Sequence, residues 1–236
     1  MKALKPFVNF VERITEILGK WSQAIVPFLI LLGFMNVVLR YTGEQIGVKL
    51  TNNAIIEAQW YLYTLVFFFG FAYLLKNDIN VRVDFWFAEQ SEIRKAWIDF
   101  IGHTVALLPF CFLALWATFN PVLTSWGHKT SAPILEGWDQ WEGTRERLAD
   151  YRTRCSEDPE CSRLSFDSFQ RVINIMPWEV SPDADGLPRA PIKTMVLIAF
   201  GSLLLQAIVE YIKLIALLRG DDTFKRIESD APIRIE

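Results

Sequence analysis

The sequence is short of charge in four places, and those places organise the rest of it. Residues 21–39, 58–75, 100–123 and 194–209 contain no Asp, Glu, Lys or Arg. Three of these runs hold about 18 residues or more, enough helix to cross the hydrocarbon of a bilayer. The fourth is shorter and reaches spanning length if Glu210 and Lys213 sit at headgroup level. Histidine is scarce, with 2 residues, and so is cysteine, with 3. His103 and His128 would lie roughly 37 Å apart along one helix at 1.5 Å per residue, too far to ligate the two faces of one haem. No His/Cys spacing of a zinc site is present. The net charge of −3 comes without a basic stripe, so nucleic acid is excluded as a partner. No small-x-small cleavage pattern follows the first apolar run, which is also longer than an export-signal core, so it reads as a retained span.

What is present is apolar mass in blocks: 52% hydrophobic and 14% aromatic residues, arranged as runs rather than amphipathic periods. The expectation is an all-α integral membrane protein of four transmembrane helices, with a large extracytoplasmic insertion between helices 3 and 4. Segment 1–20 reads as a cytoplasmic amphipathic segment. Its apolar face is Phe7, Phe10, Val11, Ile14 and Leu18, and Glu12, Arg13, Glu16 and Lys20 point away. Such a helix lies in the inner interface or packs on a partner. Residues 21–126 hold helices 1 to 3 with a cytoplasmic loop at 76–99. Residues 127–191 form a periplasmic cap, 192–218 helix 4, and 219–236 a cytoplasmic tail.

Orientation follows from Lys and Arg. Lys2, Lys5, Arg13 and Lys20 precede helix 1. Lys76, Arg82, Arg94 and Lys95 fill the second loop, and Lys213, Arg219, Lys225, Arg226 and Arg234 the C-terminal end. The first loop carries only Lys49, with Arg40 at its edge. Short basic segments stay cytoplasmic and long loops cross largely regardless of charge, which predicts N-in/C-in. Trp21, Tyr41, Trp60, Tyr61, Tyr73, Trp97, Trp126 and Tyr211 sit near span ends, where amphipathic rings are favoured.

The second loop alternates Val81, Arg82, Val83 and Asp84 like a short extended stretch, then turns helical over 89–97 with Ser91 as candidate N-cap. Pro109 and Pro121 lie in the third run, where proline bends a membrane helix. In the cap, 143–154 reads as a charged helix, and 183–191 as a Pro/Gly loop. Cys155 and Cys161 face the oxidising side and form a candidate disulfide; Cys111 reads as a buried small hydrophobe. Arg40 and Glu57 flank the short outer loop, where a bridge between them, or contact with a neighbouring subunit, would offset the cost of their position. Glu210 and Lys213 are spaced to pair with each other.

The spans offer few buried ionisable groups, no broken-helix pair and no inverted repeat, the usual pointers to a transporter's own site. The chain therefore reads as a membrane body serving another's machinery. Two alternatives stay open. One is a thiol–quinone oxidoreductase-like four-helix membrane enzyme, which would need a second cysteine pair and a Cys-x-x-Cys-like site. The other is a self-contained channel or carrier, which would need pore-lining polar residues.

Glu57-x-x-Trp60-Tyr61, the run Phe69-Gly70-Phe71-Ala72-Tyr73-Leu74-Leu75, and Val81-Arg82-Val83-Asp84 resemble the small membrane subunit of tripartite ATP-independent periplasmic (TRAP) transporters. Asn80 stands where that family usually has His. Trp178-Glu179-Val180-Ser181, Gly186-Leu187-Pro188, Pro191-Ile192-Lys193 and Leu203-Leu204-Leu205-Gln206 resemble the end of the mannitol/chloroaromatic-type subgroup. Residues 127–175 look like an insertion. The resemblance implies a bacterial inner-membrane scaffold with no catalytic residue and no cofactor of its own. It implies a large elevator-type membrane subunit that carries the sodium and organic-acid sites, and a periplasmic substrate-binding protein that docks outside. On this reading Arg40, Glu57, Arg82 and Asp84 are the candidates for subunit-interface or inter-helix polar contacts, and Gly33, Gly70, Ala72 and Gly201 for close helix approach.

Overall fold

The computed structural model describes residues 4–79, 90–130, 132–157, 166–183 and 185–221. Its elements are α1 (Lys5–Ile46), α2 (Asn53–Lys76), α3 (Glu92–Gly102), a π-helical turn (His103–Leu107), α4 (Leu108–Ser125), a 3-10 turn (Asp139–Trp141), α5 (Thr144–Glu157), α6 (Phe166–Ile175) and α7 (Ala190–Leu218). The described residues contain no named strand, only an isolated bridge between Val180 and Pro188. Four helices are long and apolar enough to cross a membrane: α1, α2, the continuous Ile93–Ser125 segment, and α7. Their outward faces are strongly apolar. Phe112, Leu113 and Trp116 are 60%, 64% and 76% exposed, a surface that favours lipid or a protein partner over water.

The structure adds detail to the N-terminal segment and to the fourth span. The N-terminal segment is not a separate amphipathic helix. It is the first part of α1, 42 residues long and therefore about 63 Å against roughly 30 Å of hydrocarbon. Its buried residues include Val8, Val11 and Thr15, while Phe7 and Phe10 are exposed. The fourth span is Ala190–Leu218, with Glu210 and Lys213 within the helix. Ser91 does occupy the N-cap of α3, in extended backbone, but its side chain makes no capping bond. The extended stretch expected at Val81–Asp84 lies outside the described residues.

By packing, the chain divides into two compact units, and each membrane helix contributes to both. The first comprises 1–26, 65–116 and 198–236. In it Val8 and Val11 of α1 pack on Val209 of α7, with Ile212 alongside. Phe200 meets the edges of Phe68 and Phe110, and Phe100 stacks on Tyr211 at 4.8 Å between ring centres. The tightest approach is at Gly19, where a Cβ would overlap the Tyr73 ring. The π-helical turn has a local cause. Pro109 cannot donate to the carbonyl four residues back, and its ring crowds that carbonyl. Leu108 N–H reaches back instead to His103 O, and the wider turn relieves the conflict.

The second unit comprises 27–64 and 117–197. Here α1 ends in a turn with Gly47 at φ 69° and Val48 N–H on Gly43 O at 2.9 Å. α4 ends similarly, with Gly127 at φ 84° and His128 N–H on Leu123 O. A Cβ at Gly127 would also lie 2.5 Å from Pro177 O, so glycine is required twice over. Tryptophan then fastens the cap to this helix end. The Trp126 indole donates to Thr194, the Trp141 indole donates to Trp126 O, and the Trp126 and Trp178 rings meet edge to face. Glu179 N–H bonds to Ser125 O at 2.7 Å.

Candidate functional site

Two polar constellations stand out against the apolar helices. The first, in the second unit, is a clamp on one peptide. Glu57, one turn into α2, accepts the Leu187 N–H at 2.6 Å. Tyr61, four residues on and therefore on the same face, donates to Leu187 O at 3.5 Å. The loop ahead of α7 is thus gripped through backbone, so the identity of residue 187 matters little to the bonds themselves. Its flanks are tied as well: Ser181 N–H bonds to Leu187 O, Arg189 N–H to Glu179 O, and the Lys193 ammonium pairs with the Glu179 carboxylate. Gln170 of α6 donates to Gly186 O at 2.9 Å.

The second constellation, in the first unit, is a chain of polar groups joining α1, α2 and α7. Thr15 hydroxyl donates to Gln206 Oε1 at 2.8 Å, and Gln206 Nε2 donates to Glu210 Oε1 at 2.9 Å. Lys213 Nζ lies 2.9 Å from Glu210 and 2.5 Å from Glu12. Beside this chain Lys76 of α2 pairs with Glu16 at 2.9 Å. Thr15 and Gln206 are 1% and 0% exposed. Such groups are costly in an apolar setting when single and acceptable when each satisfies another. The His103 Nδ1 lies 2.7 Å from Asp99 O, while its Nε2 is buried beside a small cavity lined by Lys76, Asp78, Glu210 and Lys213.

The residues singled out in the sequence are distributed as follows. Glu57 is in the clamp. Arg40 is exposed on α1 and lines an open cavity under the first loop. Among the described residues no ion pair joins Arg40 to Glu57. Arg82, Asp84 and Cys161 lie outside the described residues; Cys155 is in α5. Cys111 is free and buried. Glu210 pairs with Lys213 and also holds Gln206. Of the proposed close-approach residues, Ala72 is fully buried and Gly33 faces the Gln59 amide at 3.4 Å, but a Cβ at Gly201 would meet nothing. Among the described residues no cluster of three His, Cys, Asp or Glu could hold a metal ion. Trp21, Tyr41, Trp60 and Trp97 stay exposed on helix exteriors, as interfacial rings do. Tyr61, Trp126 and Tyr211 are spent on internal contacts instead.

The residues the sequence reading missed are Thr15, Gln206 and the backbone of Leu187. Gln206 carried a usable signal. It is the one amide in residues 194–209, and a polar side chain inside a span needs a partner.

Residues 29–142 match the family described as tripartite ATP-independent periplasmic transporters, DctQ component. The match runs from within α1 into the start of the cap and includes Arg40, Glu57, Arg82 and Asp84. It ends before Cys155, before Leu187 and before α7. No curated protein and no solved structure matches the chain. The match covers just under half of the chain, and the described residues include four helices long and apolar enough to cross a membrane. DctQ components are transporter subunits, not enzymes.

Proposed function

We propose that this chain is the small membrane subunit of a TRAP transporter in a bacterial inner membrane, of the mannitol/chloroaromatic type. It serves as fixed scaffold for a large elevator-type subunit in sodium-coupled, binding-protein-dependent uptake of an organic acid. The observation that carries this is the DctQ match over residues 29–142. The polar architecture supports it: the buried groups Thr15, Gln206 and Glu210 hold one another across helices, as a static wall requires. The large subunit, rather than this chain, carries sodium and substrate. With N-in/C-in orientation, the clamp of Glu57 and Tyr61 on Leu187 faces the periplasm. There it fixes the cap on which the binding protein docks. A Cys155–Cys161 bridge stiffens that cap.

The test is purification from native membranes followed by reconstitution. A much larger apolar membrane protein should co-purify, and uptake should require both chains and an exported binding protein. Solute accumulation by this chain alone in vesicles would overturn the reading. Deleting residues 127–175 should lower uptake while leaving the two membrane chains associated.

A further inference from the structure

We infer that the α1–α2 loop holds the headgroup of an aminophospholipid, with the phosphate on Arg40 and the ammonium on Glu44. Four observations meet there. An open cavity of ≈ 530 Å³ lies under the loop, lined by Arg40, Glu44, Lys49, Leu50 and Asn53 among others. Arg40 and Glu44 are one helical turn apart on α1, and among the described residues no ion pair engages either side chain. Lys49 is directed elsewhere, to Asp185 at 3.8 Å. Arg40 directly follows the charge-free run 21–39, which places its guanidinium at the level of lipid phosphates.

The rim identifies the ligand as a lipid rather than a free anion. Val48 and Leu50 line the cavity and are both exposed, and they give it an apolar border. A soluble anion gains nothing from that border, whereas a phospholipid lays its glycerol and upper acyl carbons along it. Charge selects among lipids. Guanidinium matches a phosphodiester with paired donors. The adjacent carboxylate penalises an anionic glycerol headgroup and accepts a primary ammonium, which offers three donors where a quaternary ammonium offers none. On this assignment Arg40 is a lipid ligand, not a contact to the large subunit, and the inference stands whether or not the chain serves a TRAP transporter.

The test uses the full chain, with any membrane partner that co-purifies, in nanodiscs of phosphatidylethanolamine, phosphatidylglycerol or phosphatidylcholine. Lipid retained after delipidation is read by native mass spectrometry. Phosphatidylethanolamine should be retained in preference to the other two, and free phosphoethanolamine or inorganic phosphate should not displace it. Arg40→Gln should lower its retention roughly fivefold, the scale of an exposed ion pair, and Arg40→Lys should lower it less. Glu44→Gln should abolish the preference over phosphatidylglycerol without abolishing binding. A helical circular dichroism spectrum matching the unsubstituted chain shows that each variant is folded. Equal retention of the three lipids, or displacement by inorganic phosphate, would overturn the assignment. So would an Arg40→Gln chain that keeps its lipid but releases a membrane partner.

Discussion

The Thr15–Gln206 hydrogen bond allows a quantitative test of the polar chain. Thr15 and Gln206 are almost fully buried and sit 2.8 Å apart, on α1 and α7. Thr15→Val keeps the side chain's shape and removes the donor, leaving Gln206 Oε1 without it. A buried acceptor left unpaired costs about 1–3 kcal/mol in water-soluble proteins. Membrane cycles run lower, near 0.6 and up to about 1.7 kcal/mol, because the unfolded helix finds other partners in the bilayer. Thr15→Val is therefore expected to destabilise by roughly 1 kcal/mol. Gln206→Leu should cost more, because it also removes the donor to Glu210 Oε1 at 2.9 Å. The double variant should be less destabilised than the sum, since neither position then holds an orphaned polar atom. Reversible unfolding in mixed micelles, titrated with a denaturing detergent, gives all four corners of the cycle. Additivity within about 0.3–0.5 kcal/mol is what independent sites show. That result would refute the claim that this bond couples α1 to α7.

Three further outcomes follow from the packing and polar contacts. Gly19→Ala should destabilise by about 1–3 kcal/mol through overpacking on Tyr73. Gly201→Ala, with open space around it, should be neutral or stabilising by up to about 1 kcal/mol; thermal unfolding in detergent separates the two. Glu57→Ala should cost on the order of 1.5 kcal/mol, the scale of a bond to a charged acceptor. It should also speed hydrogen exchange at the Leu187 amide, while Glu57→Gln, which keeps an oxygen, does less. In the cap, the bond to Lys129 holds the Asp139 carboxyl below its ordinary value of 3.8. A depressed carboxylate stabilises the fold above its unfolded pKa and ceases to as pH falls through the lower folded value. Lys129→Met should therefore bring the Asp139 titration, followed by carboxyl NMR shifts, back up toward 3.8. An unmoved titration would rule out this ion pair as the cause.

The spans were legible because absence of charge over a helix-length run is a direct physical signature, independent of partners. The internal partners of segment 1–20 were not legible in this way. The sequence pattern places the Phe7/Phe10 face toward the interface or a partner and turns Glu12 and Glu16 away from it. Glu12 and Glu16 turn toward Lys213 and Lys76, partners that only the tertiary fold brings near. The one-peptide clamp was half legible. Glu57 stood out as a charge at a span end, but nothing in the chain announces that it takes a backbone N–H from residue 187 rather than the guanidinium of Arg40. Backbone acceptors and donors leave no trace in composition, so such contacts are found only in three dimensions. Gly201 meets no close neighbour within this chain: a small residue permits close approach without requiring it.

The division of polar groups bears on what kind of part this chain is. A moving element in a transporter has to exchange partners, so its polar side chains need alternatives of similar energy in at least two arrangements. The contacts within each unit here run the other way. Gln206 uses both ends of its amide, one on Thr15 and one on Glu210. Lys213 is held by Glu210 and Glu12 together, and Leu187 is gripped at both its N–H and its carbonyl. Breaking the Thr15–Gln206 bond strands a buried acceptor, and Lys213 and Leu187 are held at more than one point, which makes the arrangement stiff. Meanwhile the outward faces present Phe, Leu and Trp with little polarity to interrupt them. Stiff within and adhesive without is the profile that the proposed scaffold role requires.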